Sequence, residues 1–164
     1  MVRPKKSLGQ HFLKDQNIAM QIVEALQVDD KKPVVEIGPG TGVLTQYLMK
    51  KDIDLKLAEI DRDSVAYLKK HFPNLKDNLI EGDVLKMDWN DFADGSFHVI
   101  GNFPYNISSQ IFFKVLEHRD KVDQVVGMLQ KEVAERIASD KGNKVYGILS
   151  VLLQAYYDIE LLFK

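Results

Sequence analysis

Hydrophobic residues follow two spacings along this chain, and the two spacings alternate. Short apolar runs predict buried strands, and apolar residues three or four positions apart predict helices with one buried face. The predicted strands are 33–37, 54–61, 78–83, 97–102, 122–130 and 155–163. The predicted helices are 17–28, 43–51, 63–72, 107–118, 131–139 and 146–154. Asp15 is the predicted N-cap of the first helix.

This alternation indicates a parallel sheet covered by helices on both faces. Parallel strands buried on both faces carry runs of hydrophobic residues, such as the "VV" of 33–37 and the "VI" of 97–102. We therefore predict an α/β fold with a doubly wound, Rossmann-like sheet. Ligands of such folds bind beyond the carboxyl ends of the strands, so the residues that follow each strand are the candidates for function.

Composition narrows the class of protein. The 164 residues, 45% hydrophobic and 28% charged, predict one domain over 1–164. No apolar run is long enough to cross a bilayer and no secretion signal is present, which predicts a cytoplasmic protein without a membrane partner. With no Cys and four scattered His, we predict no metal site. The net charge of −2 means that nucleic-acid binding would depend on local patches or on a partner.

A glycine-rich segment, "GPGTG" at 38–42, follows the first strand. Glycines allow a sharp turn and let a ligand approach bare main chain. The spacing differs from the G-x-G-x-x-G of dinucleotide folds, and no Lys-Ser/Thr pair completes a phosphate loop. Alone, the segment is equally consistent with a tight strand-to-helix turn and with a ligand site.

Acidic residues end the second and third strands. Glu59 could accept hydrogen bonds from both hydroxyls of a ribose, or it could be a solvated strand-end acid. Asp83 could accept from the amine of an adenine, or it could cap its own turn. Together, the glycines, an acid that could bind a ribose and an acid that could bind an adenine describe a nucleoside site. Because this site has no phosphate loop, it favours S-adenosylmethionine over a dinucleotide.

Together with other segments, these strand ends resemble the ribosomal RNA adenine dimethyltransferase family. The resemblance runs from Lys6 to the last residue and is carried by "KSLGQHFL", "EIGPGTG", "EID", "EGDVL", "GNFPYNIS", "MLQKEVAERI" and "YGILSVL". It implies a class I methyltransferase fold that uses S-adenosylmethionine and forms N6,N6-dimethyladenine. Two positions depart from the family pattern: many relatives have Asn where His11 stands and Leu or Ile where Phe103 stands.

The resemblance also implies which residues bind the cofactor. They lie at strand ends or in an N-terminal segment, about 1–28, that closes over the cofactor beside a core of about 29–164. This implied set is His11, Leu13, Gly38, Gly40, Glu59, Ile60, Asp83, Val84 and Asn102. Within it, Gly38 approaches the methionine part, Glu59 the ribose and Asp83 the adenine.

The segment "NFPY", 102–105, is the predicted catalytic motif. The adenine amine is a poor nucleophile because its lone pair is delocalised into the ring. If Asn102 Oδ1 and the carbonyl of Phe103 each accept one N–H, that lone pair turns toward the methyl group. Pro104 fixes the backbone turn, and Tyr105 offers a face on which the base stacks, for ~1–3 kcal/mol. Alone, the tetrapeptide would more often be an Asn-x-Pro turn beside a core Tyr.

The implied substrate is small-subunit ribosomal RNA within an immature small ribosomal subunit, methylated during ribosome biogenesis by a monomer. Two alternatives stay open: a large-subunit adenine methyltransferase of the antibiotic-resistance type, and a non-catalytic relative acting in ribosome assembly or transcription. The family continues with a seventh strand and a helical domain, so the resemblance predicts that this chain is a truncated catalytic domain.

Overall fold

The computed structural model of the chain describes residues 15–28, 31–104, 106–138 and 153–160. The strands are β1 (Val34–Ile37), β2 (Leu55–Glu59), β3 (Leu79–Glu81), β4 (Phe97–Asn102) and β5 (Val122–Met128). The α-helices are α1 (Gln16–Ala25), α2 (Thr45–Leu48), α3 (Arg62–His71), α4 (Ser108–Glu117) and α5 (Lys131–Ala138). Short 3₁₀ helices span Pro73–Asn78 and Trp89–Phe92.

The strands form one parallel sheet in the order β3-β2-β1-β4-β5. The chain winds outward from β1 to β3 and then returns to the other side of β1 to place β4. This reversal opens a crevice at the carboxyl ends of β1 and β4, where α/β folds of this kind bind ligands. The predicted doubly wound α/β fold is therefore confirmed, and its topology directs attention to the strand ends.

Two hydrophobic cores, one on each face, hold the sheet between its helices. Successive side chains of a strand point to opposite faces. Accordingly, Val34 packs in one core with Ile22 of α1, and Val35 packs in the other with Ile111 of α4. All four residues of β1 are buried, so the central strand is a rigid support for the loop that follows it.

The N-cap predicted for the first helix is confirmed. The carboxylate of Asp15 accepts hydrogen bonds from the backbone N–H of Asn17, at 2.9 Å, and of Ile18, at 3.2 Å. These bonds satisfy two of the backbone N–H groups at the start of the helix, which have no carbonyl partner within it. The cap fixes where α1 begins against the sheet.

The strand predicted at 155–163 is wrong where the structure describes it. Residues 153–156 form a helical turn and 157–160 are irregular, while 161–163 and most of the predicted helix 146–154 lie outside the described residues. Side chains hold this segment: the Tyr157 hydroxyl donates to the carbonyl of Val122 at 2.9 Å, and Arg119 lies over the Tyr156 ring at 4.5 Å. Its alternating hydrophobic residues thus reflect packing against β5 and α4 instead of strand pairing.

Candidate active site

A cavity of about 230 Å³ lies at the carboxyl ends of the central strands. Eight residues predicted from the sequence to form the site line it: Gly38, Gly40, Glu59, Ile60, Asp83, Val84, Asn102 and Pro104. Of the other predicted residues, Phe103 is buried behind the wall, and His11, Leu13 and Tyr105 lie outside the described residues. The structure thus brings together in one cavity the motifs that follow β1, β2, β3 and β4.

The loop after β1 takes a conformation that needs glycine. Gly38, Gly40 and Gly42 have φ angles of 68°, 59° and 83°, in the left-handed region that other residues rarely adopt. A Cβ placed on Gly38 would lie 3.8 Å from the carbonyl oxygen of Asn102 and from Pro104 Cδ. The glycine loop therefore lies directly beside the "NFPY" motif, and both line the cavity.

The Glu59 carboxylate joins the end of β2 to the glycine loop. Its Oε1 accepts from the N–H of Gly40 at 2.8 Å, and its Oε2 accepts from the N–H groups of Ile60, at 2.9 Å, and Asp61, at 3.0 Å. Burial raises the pKa of Glu59, and these three hydrogen bonds oppose that rise. A carboxylate offers about four acceptor positions, so capacity remains for a ligand hydroxyl.

Glu36 is a second buried acid of the cavity, and the sequence did not mark it as functional. It belongs to β1, is only 1% exposed, and accepts a 2.5 Å hydrogen bond from the Thr45 hydroxyl. Burial raises its pKa to about 8, and the nearby Glu59 adds to the rise. An acidic residue within an apolar strand was the available signal, because such burial is costly unless the group has a partner.

Asp83 caps its own turn and lines the cavity as well. Its Oδ1 accepts from the N–H of Leu85 at 3.0 Å, which is the turn-capping role considered from the sequence. Among the described residues, no donor occupies Oδ2. One oxygen therefore holds the loop and the other can accept from a ligand amine, so the two interpretations are compatible.

The "NFPY" motif begins on β4 itself. Asn102 ends the strand beside Met128 of β5, and the backbone N–H of Phe103 extends the ladder to the Met128 carbonyl at 3.2 Å. Asn102 and Pro104 reach the cavity, whereas the Phe103 side chain is 4% exposed. The motif is thus a continuation of the sheet and not a free loop.

The N-cap position of α4 is occupied by an apolar residue, Ile107. The helix begins at Ser108 after Ile107, and no side chain supplies a cap hydrogen bond. A backbone turn replaces it, in which the N–H of Ile107 donates to the Pro104 carbonyl at 3.2 Å. Asn106 is instead exposed and lines the cavity.

Membrane-spanning helices and metal-binding clusters are both absent from the described parts of the chain. None of the helices described there has the length and apolar character to span a membrane. Within the same residues, no group of three or more His, Cys, Asp or Glu side chains could hold a metal ion.

The fold and the placement of the cavity define the class of protein. The structure is similar to a dimethyladenosine transferase from Plasmodium falciparum, with a TM-score of 0.72 and 33% identity over 88% of this chain and 52% of that one. It is also similar to the 23S rRNA methyltransferase ErmE, with a TM-score of 0.74 and 26% identity over 88% of this chain and 57% of that one. The fold is therefore that of the methyltransferases.

Sequence comparison then gives the family. The family described as "Ribosomal RNA adenine dimethylase" matches residues 1–164, and the chain belongs to it. Proteins called ribosomal RNA small subunit methyltransferase A are 58% identical in Parabacteroides distasonis and 59% identical in Cytophaga hutchinsonii. The alignments cover 99% of this chain but 61% and 64% of those proteins, so the chain spans about three fifths of their length.

Proposed function

We propose that this chain forms the catalytic region of an enzyme that transfers methyl groups from S-adenosylmethionine to the N6 amines of adenines in small-subunit ribosomal RNA. One observation carries the proposal: Asn102 and Pro104 line the same cavity as the glycine loop, Glu59 and Asp83. A cofactor site and a motif suited to an exocyclic amine therefore share one space. The names of relatives more than half identical to this chain favour the small-subunit RNA as substrate.

The cavity fits S-adenosylmethionine by the chemistry of its walls. Glu59 keeps acceptor capacity for a ribose hydroxyl. Among the described residues no donor takes up Asp83 Oδ2, which can therefore accept from an adenine amine. Glu36 places an ionisable carboxyl beside a ligand that carries positive charge. The cofactor supplies a methyl group bound to a positively charged sulfur.

The residues of the chain act by orienting the target amine. Asn102 Oδ1 and the Phe103 carbonyl accept its two N–H groups, which directs the nitrogen lone pair into the cavity. Pro104 has no N–H, so it offers no donor that would compete for these acceptors. The methylated nitrogen becomes acidic and releases its proton to water or to a carbonyl, so no general base is needed. Catalysis then rests on positioning and on electrostatic fit.

The proposed partner is the immature small ribosomal subunit, and we propose that the enzyme acts as a cytoplasmic monomer. Methylation of large-subunit RNA is the second candidate, because the similarity to ErmE extends over most of this chain. Mapping dimethyladenine in both ribosomal RNAs, from cells with and without the gene, separates the two. Loss of the modification from small-subunit RNA supports the proposal, and loss from large-subunit RNA alone contradicts it.

Substitutions at Asp83 should separate its two roles. Asp83→Ala removes both acceptors and should weaken cofactor binding by ~1–3 kcal/mol, the usual cost of an unpaired buried donor. Asp83→Asn can keep the turn through its amide oxygen, but it presents an N–H₂ group to the adenine amine, so affinity should fall as far while the melting temperature stays near wild type. Calorimetry and thermal unfolding measure the two effects. Wild-type affinity in both variants would show that Asp83 only caps its turn.

Cofactor binding should release a proton from Glu36. The pKa of this acid is about 8 in the free protein, so the group is mostly protonated at neutral pH, and a cationic ligand favours its ionised form. Affinity should therefore increase with pH up to about 8 and then level off. Calorimetry in buffers of different ionisation enthalpy counts the proton, and Glu36→Gln should abolish its release.

The same group makes stability depend on pH. The folded-state pKa of Glu36 lies above its ordinary value of 4.5, so the folded protein binds more protons than the unfolded chain between about pH 4.5 and 8. Its contribution to stability is complete below this window and is lost as pH rises through it. Glu36→Gln should flatten that part of the profile. A profile unchanged by the substitution would contradict the assignment.

A further inference from the structure

Two glycines face each other at the carboxyl end of the sheet. Gly101 of β4 and Gly127 of β5 are register partners on neighbouring parallel strands. Neither carries a side chain, so a slot opens across the two strands at this level. Glycine weakens a strand, and its presence there commonly marks the close approach of another group.

The ring of Phe103 fills this slot. Residues two apart on an extended chain point to the same face, so the Phe103 side chain lies on the face to which a side chain at 101 would point. A Cβ on Gly127 would overlap the ring, at 2.9 Å from Cδ2 and 3.0 Å from Cζ and closer still to Cε2. A Cβ on Gly101 would lie 3.0 Å from Cε1 and 3.2 Å from Cδ1. An aromatic ring covering strand glycines is a known way of pinning sheet geometry.

The ring is also held on its other side. Phe112 of α4 meets it edge to face, with ring centroids 5.8 Å apart and planes at 85°. The Phe103 side chain is 4% exposed, and its backbone N–H is bonded to the Met128 carbonyl. The slot, the helix and the strand ladder together leave the ring one position.

We propose that Phe103 is a positioning residue and that its ring is held in the slot formed by Gly101 and Gly127. The residues on both sides of it, Asn102 and Pro104, line the cavity. The seated ring therefore fixes the direction of the Asn102 side chain and of the Phe103 carbonyl. This inference rests on the proposed function, in which both groups accept from the adenine amine.

The atoms that exclude a side chain differ between the two glycines, and this difference provides a test. At Gly127, all three of the nearest atoms to an added Cβ belong to the Phe103 ring. At Gly101, the nearest atom is the backbone carbonyl oxygen of Ile37, which a change at position 103 cannot move. A smaller residue at 103 should therefore relieve a substitution at 127 but not one at 101.

The experiment compares variants of the full-length enzyme on immature small-subunit particles. Gly127→Ala should lower kcat about tenfold to a hundredfold while the cofactor Kd stays within about threefold, because the direction of Asn102 is disturbed and the glycine loop, Glu59 and Asp83 are not. Adding Phe103→Leu should recover most of the lost rate. The same addition to Gly101→Ala should recover none. Gly95→Ala is the matched control, since an added Cβ there has no neighbour within 4 Å.

Phe103→Ala tests the positioning role of the ring without introducing a steric clash. It removes the ring and should lower kcat with little change in cofactor Kd, even if Gly127→Ala folds poorly. The inference is overturned if Phe103→Ala keeps the wild-type kcat. It is also overturned if the double variant Gly127→Ala/Phe103→Leu is as slow as Gly127→Ala alone.

A second readout separates this inference from the proposed function. The side-chain amide resonance of Asn102 should shift in Gly127→Ala and return in the double variant, whatever the substrate is. A wild-type enzyme without adenine methylation contradicts the proposed function. An Asn102 resonance unmoved by Gly127→Ala contradicts the positioning role.

Discussion

Asn102→Ala should abolish methyl transfer to adenine while leaving cofactor affinity within about threefold of wild type. The side chain ends β4 and lines the cavity, where its oxygen is proposed to accept an N–H of the target amine. Removing one positioned hydrogen-bonding group from an active site typically costs about a hundredfold to a thousandfold in kcat. Methyl transfer to small-subunit particles, together with calorimetry of cofactor binding, measures the two quantities.

Two further variants make this test specific. Asn102→Asp keeps an acceptor oxygen at the same place and should retain more activity than the alanine variant. Asn90→Ala is the matched control, because Asn90 is exposed and does not line the cavity. Turnover near the wild-type rate in Asn102→Ala would exclude the proposed role of the "NFPY" motif.

Glu59→Ala should lose cofactor binding more severely than any other single change in the cavity. The substitution removes the proposed ribose acceptor and at the same time leaves the N–H groups of Gly40, Ile60 and Asp61 without their acceptor. Hydrogen bonds to a charged group contribute ~1.5–3 kcal/mol each, so affinity should fall by at least about a hundredfold. Calorimetry measures the loss, and thermal unfolding shows whether the glycine loop has been destabilised as well.

Glu59→Gln and Glu81→Ala complete this test. The glutamine keeps one acceptor oxygen and should bind with intermediate affinity. Glu81 is the register partner of Glu59 on β3 but is exposed and lies outside the cavity wall, so Glu81→Ala should bind as wild type does. Equal affinities in Glu59→Ala and Glu81→Ala would show that the end of β2 has no part in cofactor binding.

The sequence was sufficient to predict the strand-end residues. In a doubly wound sheet the positions after each strand converge on one edge, so locating the strands also locates Gly38, Glu59, Asp83 and Asn102. Periodicity is read from neighbouring residues alone, and the central strands β1, β2 and β4 are short and largely buried. That is why the fold class and the strand-end positions followed from local patterns, whereas the roles of the residues there came from the family resemblance.

Features that depend on contacts between distant residues could not be predicted from the sequence. Glu36 has the pattern of an interior strand residue, and its role as a buried acid of the cavity depends on Thr45 and on the shape of the pocket. The Phe103 slot depends on the register of β4 against β5, which no single segment encodes. The segment 155–160 has the alternation of a strand, but its place is set by packing against residues far from it in the chain.

The fit between Phe103 and Gly127 also constrains the order in which these positions can evolve. A lineage that first replaces Phe103 with a smaller residue passes through an intermediate with unfilled space, which costs stability but creates no overlap. A lineage that first acquires a side chain at position 127 passes through an intermediate in which that side chain and the ring compete for one volume. Across the family, lineages with Phe at position 103 should therefore keep glycine at position 127, whereas lineages with Leu or Ile at 103 can tolerate a side chain there.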